Sequence, residues 1–134
     1  MAKLTTIEGI GEAGATKLAK AKVGSIATLL ARGATVAGRR ELSKASGVTE
    51  KRLLEWINRA DLMRITGVGG EYSDLLEASG VDTVPALGKR KPANLVATMV
   101  EVNKKKKLVR QIPTEAKVTA WVAQAKTLPK VVKH

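Results

Sequence analysis

The sequence predicts an all-α chain made of two tandem copies of one helical unit. Three observations carry that expectation: apolar residues recur three or four apart rather than alternately, a Gly-apolar-Gly motif occurs twice, and matched residues stand at constant spacings. Ile7-Glu-Gly-Ile-Gly-Glu-Ala-Gly-Ala-Thr-Lys-Leu18 overlays Ile65-Thr-Gly-Val-Gly-Gly-Glu-Tyr-Ser-Asp-Leu-Leu76 at an offset of 58, and Val23, Ile26 and Leu29 continue onto Val81, Val84 and Leu87. Thr49-Glu50 and Trp56-Ile57 then pair with Thr114-Glu115 and Trp121-Val122 at an offset of 65, so the second copy carries 7 extra residues. The copies are expected over 4–60 and 62–128, inside a single pseudo-twofold helical domain covering residues 1–134.

The elements follow in order. A helix over 12–22 comes after the first Gly-Ile-Gly; one over 25–32 opens on Ser25, whose hydroxyl can cap it, and a third covers 37–46. Thr49 caps a helix over 49–63 that carries Leu53, Leu54, Trp56, Ile57 and Ala60 on one face. The second copy repeats the scheme with helices over 70–79 (Leu75, Leu76, Ala78, Ser79 inward) and 83–88. Pro92, suited to a first turn, opens 92–107 with Leu95, Val96, Met99, Val100 and Val102 inward, and Thr114 caps 114–127. Gly24, Gly33, Gly47 and Gly80 suit the left-handed residue that closes a helix. Trp56 and Trp121 occupy equivalent places on amphipathic helices and read as core. Only Met1 to Glu8 precede Gly9, so the 114–127 helix is expected to pack back beside the first hairpin and close the domain.

Charge points to the partner. The chain has 24 Lys and Arg against 12 Asp and Glu, a net +12, which favours a polyanion. With no Phe, one Tyr and two Trp, a base-stacking platform is hard to assemble, so contacts should go to phosphates. The charge is uneven: residues 1–60 carry 11 basic and 5 acidic groups, 61–87 carry 1 and 5, and 88–134 carry 12 and 2. No apolar run approaches the roughly 20 residues that cross a bilayer, and no membrane partner is expected. The start lacks the order of a signal peptide, which places the chain in the cytoplasm, on the nucleoid if it binds DNA. There is no cysteine and only the terminal His134, so a thiolate metal site, a zinc hydrolase or a Ser/His/Asp triad has almost nothing to be built from.

The Gly-apolar-Gly turns are the candidate chemistry. A glycine can take a left-handed conformation, the apolar residue plugs the junction, and the amides at the start of the next helix point outward, where an anion is held by hydrogen bonds and dipole together. These residues, with Leu18 and Leu76 downstream, resemble the tandem helix-hairpin-helix modules of DNA repair, recombination and ligation proteins. The whole chain is similar to a family of small, functionally uncharacterised tandem helix-hairpin-helix proteins, of which Glu55-Trp-Ile-Asn-Arg-Ala-Asp-Leu-Met-Arg-Ile65 is typical. The resemblance implies sequence-independent binding of the DNA backbone through the hairpin amides, with duplex DNA the expected nucleic acid.

The expected phosphate-facing residues are therefore Gly9, Ile10 and Gly11, the basic groups Lys17, Lys20, Lys22, Arg39 and Arg40, and the run Lys104, Lys105, Lys106 and Lys107. Arg32, Lys89, Arg90, Lys91 and Arg110 flank these groups. Glu71, Asp74, Glu77 and Asp82 surround the second hairpin and should repel phosphate, so Gly67, Val68 and Gly69 are expected to be structural. The carboxylates are spread along a helix flank rather than converging on one ion, and no glycosylase-like loop follows either hairpin. We expect no enzyme activity, metal or cofactor. The competing expectation is a protein-interaction or scaffold module, with a basic protein partner or self-association through the acidic surface.

Overall fold

The computed structural model describes residues 3–134 as all-helical. A short 3-10 turn at Leu4–Thr6 precedes eight α-helices: α1 (Gly11–Lys20), α2 (Ile26–Arg32), α3 (Val36–Ser46), α4 (Glu50–Leu62), α5 (Gly70–Ala78), α6 (Val84–Gly88), α7 (Pro92–Lys106) and α8 (Glu115–Thr127). Five starts have a side-chain cap among the described residues. Ser25, Thr49 and Thr114, the expected caps, accept from the Thr28, Arg52 and Lys117 amides, and Thr35 and Thr83 accept from Gly38 and Ala86.

The described residues group into two compact units. One comprises the chain up to Asp61 together with Val131–His134, the other Leu62–Lys130. In the first unit α1 packs on α3 and on the 3-10 turn, and α2 on α3. Its core contains Ile7, Leu18, Val23, Leu29, Leu42, Leu53 and Ile57, all fully buried. The second core gathers Leu62, Ile65, Leu75, Leu76, Leu87, Leu95 and Met99 with Val118, Trp121 and Val122. The expected inward faces are therefore buried, while Leu54, Ala78, Val96, Val100 and Val102 lie at the edges, half-buried.

α8 belongs to the second unit, where it packs on α6 and α7, and within the first unit Trp56 of α4 stands against the glycine turn. Two of the expected left-handed glycines need correction, while Gly47 and Gly80 take that conformation. Gly33 closes α2 at φ −96°, and the left-handed residue closing α1 is Lys22 (φ 63°), not Gly24. Its amide donates to the Ala19 carbonyl at 2.9 Å and that of Val23 to Leu18 at 2.9 Å; Gly80 and Val81 repeat the pattern onto Glu77 and Leu76 after α5. Arg32 donates to the Ala21 carbonyl beside this cap, as Arg90 does to Ser79 at 3.3 Å, so these two flanking arginines hold helix ends together.

Residues 131–134 close the first unit. Val132 is buried, the Lys133 amide donates to the Ala34 carbonyl at 2.7 Å, and Asn58 Oδ1 lies 3.4 Å from His134 Nε2. The Arg39 guanidinium, 4% exposed, donates to the Gly33 carbonyl at 2.8 Å and to that of Lys133 at 2.7 Å. Burial lowers its pKa from the ordinary arginine value, and Glu50 acts in the opposite sense.

Candidate nucleic-acid interface

The two glycine turns are built from the same bonds. In the first, the Ile10 amide donates to the Ile7 carbonyl at 3.3 Å; in the second, Val68 donates to Ile65 at 3.1 Å. Gly9 and Gly67 take φ of +92° and +93°, a region that penalises any side chain. Each faces a buried tryptophan: a Cβ would lie 3.5 Å from Trp56 Nε1 at Gly9, and 3.1 Å from Trp121 Nε1 at Gly67. One residue of the last helix then holds each turn. Arg59 donates to the Glu8 carbonyl at 2.7 Å. At the matching place Gln124 accepts from the Thr66 amide at 3.0 Å and donates to Thr66 Oγ1 at 3.2 Å.

Around the first turn the surface is an open basic groove. Two hollows of about 230 and 250 Å³ share Gly9, Thr49, Arg52 and Trp56. Gly14 and Lys17 line one; Lys51, Glu55 and Arg59 line the other. The walls include Gly9–Ile10 and Gly47–Thr49, which lead into α1 and α4, so two helix N-termini, each carrying a partial positive charge, open onto the groove. Ile10, the N-cap of α1, offers no side-chain cap, and Gly14 is the first amide to bond back, to the Ile10 carbonyl at 3.0 Å. The amides of Gly11, Glu12 and Ala13 precede that first bond, outside the helical ladder. The Arg52 guanidinium sits 5.8 Å from the Trp56 ring centre, a cation-π contact at the groove wall.

Around the second turn the surface is a mostly apolar notch of about 330 Å³, lined by Thr66, Gly67, Tyr72, Lys117, Ala120, Trp121 and Gln124. Tyr72 stands where the first unit has Gly14. Its ring packs 5.3 Å from Trp121 at 56°, and its hydroxyl donates to the Gln111 carbonyl at 3.2 Å. A Cβ on Gly14 would come within 3.1 Å of both Ile10 and Trp56, so the missing side chain keeps the first groove open. At the offsets of 58 and 65, Lys17, Lys51, Arg52 and Arg59 correspond to Leu75, Ala116, Lys117 and Gln124. Only one of four cations persists.

Of the expected phosphate-facing residues, Gly9, Ile10 and Lys17 line the groove and Gly11 (φ +58°) opens α1 beside it. The Ile10 N–H is bonded to the Ile7 carbonyl and its side chain is buried, as the plug of the turn. The Arg39 guanidinium is buried away from the groove lining and holds Gly33 and the 131–134 segment. Lys20 and Lys22 are exposed at the other end of α1, roughly 15 Å along a helix of ten residues. Arg40 is exposed on α3. Lys104 to Lys107 are exposed at the end of α7 in the second unit, where Lys104 pairs with Glu101 at 3.3 Å.

Lys51, Arg52 and Arg59 escaped the sequence reading. Their signal was available: Arg52 and Arg59 stand four before and three after Trp56, hence on its helix face. Around the second turn, Gly67 keeps its structural place over Trp121 and Val68 is a buried plug, while Gly69 caps α5 at φ −103°. Glu71 and Asp82 are exposed; Asp74 and Glu77 are half-buried and have interaction partners. Among the described residues no group of three or more His, Cys, Asp or Glu is placed to hold a metal ion, and no helix is long and apolar enough to cross a membrane.

No curated protein and no solved structure matches the chain. Residues 8–128 match the model of a family described as a domain of unknown function (DUF4332), a span that takes in both glycine turns and all eight helices. By that match, the chain belongs to the DUF4332 family.

Proposed function

We propose that this chain binds nucleic acid through its sugar-phosphate backbone, with duplex DNA as the partner, without reading sequence and without catalysis. In this reading the two units are tandem helix-hairpin-helix repeats, and only the first keeps a binding hairpin. The observation that carries the proposal is the groove at Gly9, where Lys17, Lys51, Arg52 and Arg59 face a single carboxylate, Glu55, and two helix N-termini open on the same surface. A phosphate there would meet backbone amides, helix dipoles and side-chain cations together. The exposed Lys20, Lys22, Arg40 and Lys104 to Lys107 add to the field that draws a polyanion in. Bound to DNA, the protein would be cytoplasmic, on the nucleoid.

Fluorescence anisotropy with labelled random-sequence duplex, single-stranded DNA and RNA at several salt concentrations tests the proposal. The wild-type chain should bind duplex with a log-log salt slope of about −4 to −5, for roughly four to six phosphates, and Lys17→Gln with Arg52→Gln should make that slope less negative by about 2. Binding insensitive to salt, or no binding together with concentration-dependent oligomers, overturns it, the latter in favour of a scaffold.

A further inference from the structure

The second unit carries its own basic surface, away from its glycine turn. A hollow of about 360 Å³ is lined by Lys89, Lys126 and Lys130 with Pro85, Gly88 and Leu128. None of its lining residues is acidic. The lysines come from three places: the residue after α6, the last turn of α8, and the segment beyond α8. Two contacts bring these segments together. Gly88 lies so close to α8 that a Cβ there would touch Lys126, 3.5 Å from both its Cγ and its backbone nitrogen. Arg64 donates to the Pro129 carbonyl at 2.8 Å, holding the segment that presents Lys130. The three lysines therefore line one hollow made by packing, unlike the Lys104 to Lys107 run, which follows one helix end and includes an ion pair to Glu101.

Nothing similar exists at the matching places of the first unit. At the offsets of 58 and 65, Lys89 corresponds to Ala31 and Lys126 to Asp61. The two basic concavities thus stand at different positions in their units.

We infer that the hollow at Lys89, Lys126 and Lys130 is a second phosphate-backbone contact, through which the second unit engages the nucleic acid that its glycine turn does not bind. The inference rests on the proposed DNA-binding reading and deepens it. Ammonium groups are point charges on flexible stems, so they suit backbone phosphates in varied positions rather than one fixed planar group.

The test compares two full-length triple variants of equal charge change, with folding checked by circular dichroism. Lys89→Gln, Lys126→Gln and Lys130→Gln together should make the salt slope on random duplex less negative by about 2 to 3. Lys3→Gln, Lys44→Gln and Lys133→Gln together, all exposed and outside both concavities, should change it by less than about 1. Amide resonances of Gly88 and Ala125 should shift when unlabelled duplex is added to the wild-type protein. Equal slope changes in the two triples, or an unchanged slope in the first, overturn the second contact while wild-type binding leaves the first groove standing. If the wild-type chain binds no nucleic acid, both fall.

Discussion

Arg59 holds the Glu8 carbonyl at the first glycine turn, and Gln124 holds Thr66 at the second; both turns sit on a tryptophan of the last helix in their unit. The scaffold beneath the turns is shared, whereas the surface above them is not. The first turn is bordered by cations and opened by Gly14; the second is covered by Tyr72 and has lost three of the four cations. Gly9 over Trp56 and Gly67 over Trp121 are held by packing. The outward residues differ, and the difference gives the first turn a basic surface and the second an apolar one.

The shared scaffold is where substitution should cost most. Trp56→Ala and Trp121→Ala should each destabilise by about 3 to 5 kcal/mol in urea unfolding, since each removes the ring under a turn that cannot collapse around the space. Each also removes a ring contact, the Tyr72 pair at Trp121 and the Arg52 cation-π contact at Trp56, of about 0.5 to 1 kcal/mol each, so the two losses should agree within about 1 kcal/mol. A loss below about 2 kcal/mol at either position would show that its turn closes without the ring.

Next in size is a feature confined to the first unit. The 131–134 segment is tied to Ala34 by its backbone and to Arg39 by a guanidinium that serves Gly33 as well. Arg39→Met keeps much of the volume but removes both donors, leaving two carbonyls without that partner. We expect a loss of about 2 to 3 kcal/mol, as for hydrogen bonds from a charged group. Protection of the Lys133 amide in hydrogen exchange should fall by more than protection at Leu95 in the second unit. Equal falls at both positions would break the assignment of this strap to one unit.

How much of this was legible in the sequence follows from the same inward and outward division. All eight helices lie within two residues of their expected bounds, because caps and apolar periodicity are local signals. The offsets of 58 and 65 anticipated which residues share a role, down to Trp56 and Trp121. What the sequence could not supply was the partner of each face: that α8 serves its own unit, that Arg39 points inward, and that Arg52 and Arg59 border a groove. An arginine among polar neighbours reads as a surface charge, and only three-dimensional packing shows that the Arg39 guanidinium meets a carbonyl 94 residues along the chain. The groove itself depends on a missing side chain at Gly14, which reads as one more small residue in an Ala-rich helix.

The smallest expected effect separates two glycines that look identical in the motif. Gly11 and Gly69 are each the second glycine of their turn, yet Gly11 has φ +58° and Gly69 has φ −103°. α1 begins at Gly11 itself, whereas α5 begins one residue after Gly69, which serves as an extended N-cap. Neither position would crowd a Cβ, since no atom lies within 4 Å of it, so the backbone alone decides. Alanine at Gly11 must enter the left-handed region, a penalty partly offset by the smaller entropy of its unfolded chain; we expect a net loss of about 1 kcal/mol. At Gly69 the same entropy gain meets only the slightly poorer N-cap preference of alanine, and stability should stay within about 0.5 kcal/mol of wild type. Urea midpoints of the two single variants decide it: an equal loss at both positions would mean that the second turn also uses a left-handed glycine there, and that the two turns differ only in the side chains around them.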